Sequence, residues 1–226
     1  MFSAIAHAYD INNRIHSFGL DQSWRRRAVN QSNPVVGADV LDVACGTGDL
    51  AAHFARQGAR SVVGLDYTAA MLEVARTKAL REGGAVAAIR FVEGDAQALS
   101  FSDASFDIVS IAFGIRNVAD PDLALRQFRR VLRPGGRLAI LEFAEPGSRF
   151  VRAIHGCYTR RIMPWTATLL ARDDSGAYHY LPRSVETFLD PEALAVRVRA
   201  AGFGAVRTSR MTLGTCAITV ATVDSA

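Results

Sequence analysis

The chain has 226 residues, 50% hydrophobic and 21% charged, a mixture that supports one large domain with a full core and excludes an intrinsically disordered protein. No run approaches the roughly 18 apolar residues of a spanning helix, and the opening Met1-Phe2-Ser3-Ala4-Ile5-Ala6-His7 has no basic stretch before a sustained apolar one, so a soluble, cytoplasmic protein is expected. The net charge of +4 leaves nucleic acid, an anionic membrane and a merely solvated face open as explanations.

A single domain over 1–226 is expected, beginning with a helical segment over 1–36 that is punctuated by Ser32-Asn33-Pro34. A core over 37–145 follows, in which short apolar runs at 39–43, 61–65, 88–92, 107–111 and 137–142 alternate with helical stretches, the pattern of a parallel sheet covered on both faces. Between the last two runs, Asp120-Pro121 reads as an N-cap with proline at the first helical position. Leu125, Phe128 and Leu132 then form one face, up to the stop at Arg133-Pro134-Gly135-Gly136. Residues 146–188 break the alternation, are rich in arginine and aromatic side chains, and read as an inserted helical lid. Over 189–226, Asp190-Pro191-Glu192 starts another helix with Leu194, Val198 and Ala201 on one face, Gly202 ends it, and 205–209 and 216–221 pair as an antiparallel hairpin. Cys45, Cys157 and Cys216 form neither a C-x-x-C pair nor a zinc-spaced cluster, so a reducing compartment and no metal are expected.

The chemistry starts where the strand ending at Asp42-Val43 runs into Ala44-Cys45-Gly46-Thr47-Gly48. Glycines there let the backbone approach a ligand closely, and the next helix presents its free N–H groups. Gly46-Thr47-Gly48-Asp49-Leu50-Ala51 also satisfies the dinucleotide fingerprint, with Asp66 about 20 residues on, so this loop alone admits either a nicotinamide cofactor or S-adenosylmethionine. Together with acidic Asp42, the turn Gly94-Asp95-Ala96 and the run Leu99-Ser100-Phe101-Ser102-Asp103-Ala104-Ser105-Phe106-Asp107, it resembles the class I S-adenosylmethionine-dependent methyltransferases over nearly the whole chain. That resemblance implies a Rossmann-like, doubly wound α/β fold with seven mostly parallel strands, the C-terminal antiparallel hairpin and the helical lid included. It also implies Asp66 on the ribose hydroxyls, Asp95 and Ala96 around the adenine, Asp42, Gly46, Thr47 and Gly48 along the methionine part, and Ala112 beside the cofactor.

A narrower resemblance lies in Phe113-Gly114-Ile115-Arg116-Asn117-Val118, in Ala8-Tyr9-Asp10-Ile11-Asn12-Asn13 and Ser17-Phe18-Gly19-Leu20-Asp21-Gln22-Ser23-Trp24-Arg25-Arg26, and in the lid segments Met163-Pro164 and Ala177-Tyr178-His179-Tyr180-Leu181-Pro182-Arg183-Ser184-Val185. These motifs are similar to those of the ubiquinone/menaquinone biosynthesis C-methyltransferases, which implies methylation of a prenylated quinol at a ring carbon beside a hydroxyl. Such a carbon is a weak nucleophile until the hydroxyl gives up its proton, so the site must stabilise a phenolate and align the carbon with the methyl donor. Arg116 suits the phenolate as a planar, permanently charged group, and a water polarised by Arg116, Asn117 or Tyr9 is the expected proton acceptor. His7, His155 and His179 have the side-chain chemistry of a general base but read as surface or hydrogen-bonded histidines.

A prenylated acceptor is drawn from a bilayer. Arg149, Arg152, Arg160, Arg161 and Arg172 lie among Phe150, Ile154, Tyr158, Ile162, Trp165 and Leu169, which fits either peripheral contact with an anionic membrane or an amphipathic lid facing the core. A homodimer also stays open. The ending Leu213-Gly214-Thr215-Cys216-Ala217-Ile218-Thr219-Val220-Ala221, the Arg172-Asp173-Asp174 turn and Ala112 depart from the family pattern and leave another phenolic acceptor as the alternative. An NAD-dependent oxidoreductase, a nucleic-acid methyltransferase and a non-catalytic cofactor-binding protein are the rivals. The second lacks an N/D-P-P-Y motif for a flipped base, so no nucleic-acid partner is expected.

Overall fold

The computed structural model describes residues 9–158, 184 and 188–224. Among the described residues, two helices, α1 (Tyr9–His16) and α2 (Leu20–Gln31), precede a seven-stranded sheet. Its first four strands are β1 (Asp39–Val43), β2 (Ser61–Asp66), β3 (Arg90–Glu93) and β4 (Phe106–Ala112), and β5 (Leu132–Phe143), β6 (Val206–Met211) and β7 (Cys216–Thr222) complete it. The spatial order is β3-β2-β1-β4-β5-β7-β6, with β7 antiparallel to both neighbours and every other pair parallel. The helices between strands are α3 (Asp49–Arg56), α4 (Ala69–Glu82), α5 (Gly84–Ala87), α6 (Pro121–Val131), α7 (Arg149–Cys157) and α8 (Pro191–Ala200).

Alternate residues of the central strands enter different layers, because successive side chains of a strand point to opposite faces. Leu41, Val43, Ile111 and Ile140 pack with Leu125 and Phe128 of α6 and Leu194 and Val198 of α8. Val40 and Ile108 pack on the other side with Phe54 of α3 and Leu72 of α4. Burial on both faces explains why these strands read as continuous apolar runs rather than alternating ones. The sheet order reverses direction between β1 and β4, and the crevice at their carboxyl ends is where open sheets of this kind bind ligands.

The helix starts read from the sequence are present as built caps. Asp120 accepts a hydrogen bond from the Leu123 N–H at 2.9 Å and Asp190 accepts one from the Ala193 N–H at 2.7 Å, each with proline next in line. Two details differ from expectation. Leu132 does not extend the face of α6. It opens β5 beside Phe106, because Pro134 forbids another helical turn and the last carbonyls, on Arg130 and Val131, accept from the N–H groups of Ala104 and Ser105 instead. The third strand starts at Arg90 rather than Ala88, since the small residues before it take a helical turn, α5. The terminal hairpin is present as expected, its second strand lying between β5 and β6 and pairing Glu142 with Ala217 and Ser209 with Ile218.

Candidate functional site

The loop after β1 turns sharply over the crevice. Ala44 (φ 51°) and Gly46 (φ 55°) are in the left-handed region, and across the crevice Phe113, just after β4, is held at φ 56°. Left-handed backbone at two non-glycine residues facing one crevice is strain of the kind that concentrates at ligand sites. Two glycines permit the close approach. A Cβ on Gly114 would lie 2.6 Å from that of Ala44, and one on Gly48 would meet the Phe91 ring at 3.0 Å.

Asp42 and Asp66 converge on this loop. The parallel register places Asp42 beside Ser110, whose hydroxyl donates to Asp42 Oδ1 at 2.7 Å. Asp42 is 1% exposed, and its Oδ2 has no hydrogen-bond partner among the described residues. Burial pushes its pKa up to about 7, against the opposing pull of the Ser110 hydroxyl and the Arg25 charge. An orphaned carboxylate oxygen in a cofactor crevice is suited to a cation, and the methionine ammonium of S-adenosylmethionine has that chemistry. Asp66 closes β2 and is oriented by two amides, Gly46 N–H to Oδ2 and Thr68 N–H to Oδ1, both at 2.8 Å. Burial raises its pKa as well, against the opposing pull of the hydrogen bonds from Thr68, Gly46 and Tyr67.

Asp95 stands one strand further out, linked to this group by the bond from Gly94 N–H to the Asp66 carbonyl, 3.0 Å. Its carboxylate accepts from the Gln97 N–H at 2.8 Å in a local turn, and Ala96 packs into the core, so this segment offers a fixed backbone edge beside Asp66. Ala112 lies at the end of β4, half-buried, in register with Leu141 of β5. The side chain of Thr47 is buried and engaged by α1. Its hydroxyl donates to Asp10 Oδ1 of α1 at 2.5 Å, and Lys78 Nζ bridges Asp10 Oδ2 (2.5 Å), Asp49 Oδ1 (2.6 Å) and the Thr47 hydroxyl (3.2 Å). Asp10, Asp49 and Lys78, which sequence reasoning missed, therefore latch α1 onto the glycine loop. Tyr9 opens α1, and its side chain lies outside the described residues.

Arg116 sits on the one-turn helix Ile115–Asn117 at the mouth of β4. Its side chain is only 6% exposed. Nη1 donates to Glu142 Oε1 and to the Phe113 carbonyl, each at 2.6 Å, Nε donates to the Ser184 hydroxyl at 3.3 Å, and the guanidinium carbon lies 5.3 Å from the centroid of the Phe143 ring. Arg116 is one half of a buried ion pair, with Glu142 the partner that sequence reasoning missed. Asn117 is exposed on the same turn and its backbone N–H bonds the Gly114 carbonyl at 3.0 Å. On the neighbouring side, Arg25 of α2 is buried with Asp21 at 2.7 Å and lies over the Phe113 ring at 5.3 Å.

Of the expected lid, residues 146–158, Ser184 and Phe188 are described. Phe150 of α7 is 74% exposed, Arg152 bonds the Pro146 carbonyl at 3.0 Å, and the Tyr158 hydroxyl donates to the His16 carbonyl of α1 at 3.3 Å. Arg160, Arg161, Ile162, Met163, Trp165, Leu169, Arg172 and the segment 177–183 lie outside the described residues, as do the side chains of Ile154 and His155. Among the described residues, no helix is long and apolar enough to cross a membrane.

The sheet order, the carboxylate at the end of β2 and the glycine loop with its buried acid define the class I methyltransferase architecture. Solved structures agree on the fold. An S-adenosylmethionine-dependent methyltransferase from Thermotoga maritima matches with a TM-score of 0.68 at 18% identity, covering 98% of this chain and 97% of that one. The [4+2]-cyclase SpnF matches with a TM-score of 0.70 at 20% identity, covering 91% and 81%. The family follows from sequence. The model of the ubiE/COQ5 methyltransferase family matches residues 1–223, and the chain belongs to that family: it is an S-adenosylmethionine-dependent methyltransferase. Its relatives include a demethylmenaquinone methyltransferase from Thermus thermophilus, 47% identical over 97% of this chain and 98% of that protein. Another is a ubiquinone/menaquinone biosynthesis C-methyltransferase from Idiomarina loihiensis, 42% identical over 96% and 87%.

Proposed function

We propose that the enzyme methylates a ring carbon of a prenylated quinol, demethylmenaquinol or a related benzoquinol, in menaquinone or ubiquinone biosynthesis. The observation that carries this reading is the buried Arg116 guanidinium at the end of β4, whose Nη2 makes no hydrogen bond among the described residues while its other nitrogens are engaged. The names of the relatives supply the class of acceptor.

Bound S-adenosylmethionine supplies a methyl group made electrophilic by the sulfonium. Asp42 pairs with its ammonium, Asp66 takes the ribose diol, Asp95 and Ala96 border the adenine, and Gly46, Thr47 and Gly48 carry the backbone past the methionine part. Arg116 stabilises the acceptor's oxygen as its proton leaves for a water held near Arg116, Asn117 and Tyr9, which concentrates electron density on the adjacent ring carbon. With the cofactor bound, its sulfonium would supply the methyl group to that carbon, the sulfur keeping the bonding pair. The ring carbon's own hydrogen is lost as a proton to restore aromaticity while the oxygen is reprotonated, so one proton is released per turnover. The prenyl chain keeps the acceptor in a bilayer. The exposed Phe150 between Arg149 and Arg152 on α7 supports peripheral contact with an anionic membrane from the cytoplasmic side.

The test is to incubate the enzyme with labelled S-adenosylmethionine and a lipid extract from a strain lacking its gene, and to identify the labelled product. A prenylated methylquinol is expected. Label in a water-soluble phenol, or in no lipid, would overturn the assignment.

A further inference from the structure

Glu142 lies 26 residues from Arg116 in sequence, near the end of β5, and the pairing of β4 with β5 brings it beside the turn that carries Arg116. Glu142 is 4% exposed, and its Oε1 accepts both from Arg116 Nη1 at 2.6 Å and from the N–H of Phe143 at 2.9 Å, so the carboxylate is itself fixed by the backbone. Both hydrogens of Nη1 are taken, one by Glu142 and one by the Phe113 carbonyl, and Nε faces Ser184. A guanidinium is planar, and fixing two of its nitrogens sets the direction of the third. The remaining nitrogen, Nη2, carries two N–H groups with no acceptor among the described residues, on a side chain that is nine-tenths buried.

We propose that Glu142 is a positioning residue for the methyl transfer: it clamps Arg116 through Nη1, so that Nη2 is aimed at the ring hydroxyl oxygen of the acceptor. The inference rests on the quinol reading above. Its physical content is twofold. The clamp removes the rotamer freedom that a long arginine side chain otherwise loses only on meeting the substrate, which is the preorganisation that makes a hydrogen-bond donor effective in a transition state. The paired carboxylate also leaves no net charge in the resting site, so a neutral quinol enters without desolvating a lone cation, and the full hydrogen bond to Nη2 develops only as the oxygen becomes a phenolate.

Glu142→Ala and Glu142→Gln separate aim from charge. In Glu142→Ala the clamp is gone. The kcat for demethylmenaquinol is expected to fall by about 10²-fold, the loss typical of removing one oxyanion donor, while cofactor Kd stays unchanged. Glutamine keeps an oxygen that accepts from Nη1, so Glu142→Gln is expected to recover most of that loss. With the opposing charge removed, the acid limb of its kcat profile should move to lower pH. Wild-type kcat in Glu142→Ala overturns the inference, as do equal losses in the two variants with an unmoved acid limb. If the alanine variant does not fold, the acid limb of the glutamine variant decides alone.

A second readout needs no turnover. The ionisation of an added 1-naphthol, followed by absorbance against pH, should occur at lower pH in Glu142→Gln than in the wild type. In Glu142→Ala, which loses the same charge and the clamp as well, it should occur at higher pH than in Glu142→Gln. Naphthol that titrates alike in all three proteins overturns the inference. Absence of wild-type turnover on any prenylated quinol sinks the acceptor assignment instead, and the naphthol titration still decides the role of Glu142.

Discussion

Asp42 offers a prediction whose size follows from the structure. Its carboxylate is fully buried, with one oxygen held by Ser110 and the other unpartnered, and its pKa stands near 7 against 3.8 for the ordinary side chain. A cationic ammonium binds the ionised form. The apparent affinity for S-adenosylmethionine is therefore expected to level off above pH 8 and to weaken about tenfold between pH 8 and pH 6, because at pH 6 only about a tenth of Asp42 is ionised before binding. Below pH 7 binding should release close to one proton, which calorimetry in buffers of different ionisation enthalpy reads directly. Folding responds with the opposite sign. A raised carboxyl pKa means that the folded state holds a proton the unfolded state has lost, so this group's stability contribution to the cofactor-free protein is intact below about pH 4. It declines as pH rises toward 7, by an amount on the order of 4 kcal/mol. Asp42→Asn keeps the Ser110 hydrogen bond. It should raise the melting temperature of the cofactor-free protein at pH 8 while weakening cofactor binding and abolishing its pH dependence between 6 and 8. An affinity that is flat with pH in the wild type, or an Asn variant that binds equally well, would refute the assignment of Asp42 to the ammonium.

Other consequences are as direct. Asp66→Ala removes charge-assisted hydrogen bonding to a diol, worth about 1.5–3 kcal/mol in all, and should weaken S-adenosylmethionine by about ten- to a hundredfold in calorimetry; unchanged affinity would remove Asp66 from the site. Arg116→Ala should lower kcat by at least about 10²-fold with little change in cofactor Kd, and equal turnover would remove Arg116 from the mechanism. Phe128 of α6, wholly buried between the sheet and α8, should cost about 3–5 kcal/mol on truncation to alanine, read by chemical denaturation, and a loss below 1 kcal/mol would contradict the packing described.

Much of this molecule is legible in local chemistry. The apolar run at 39–43 coincides with β1, and Asp120-Pro121 and Asp190-Pro191 start helices in the structure, because a cap is decided within three or four residues. Errors of placement arose where a neighbour outweighed local preference. Leu132 has the spacing of a helical face, yet the carbonyls behind it find partners in Ala104 and Ser105, and the residue becomes a strand. The insertion of β7 between β5 and β6 has no local signature, since antiparallel pairing with either side satisfies the same alternation. The site divides in the same way. Gly46, Gly48 and Asp66 belong to motifs short enough to see, and the bond from Gly46 N–H to Asp66 joins them. Ser110 beside Asp42, Glu142 beside Arg116 and Asp10 beside Thr47 depend on strand register or on helix docking across 26 to 68 residues of chain. Register of the strand ends carried the first two: Asp42 pairs with Ser110, and Ala112 with Leu141, one residue before Glu142.

The most direct test of the central claim is the position of the transferred methyl group. Purified enzyme is supplied with demethylmenaquinol in its reduced form and with S-adenosylmethionine carrying ¹³C in the methyl, and the product is read by NMR. The account predicts a ring-bound carbon–methyl resonance, with the quinol oxygens unmodified and no product from the oxidised quinone, which has no hydroxyl for Arg116 to ionise. An O-methyl ether, or equal turnover of the quinone, would contradict it.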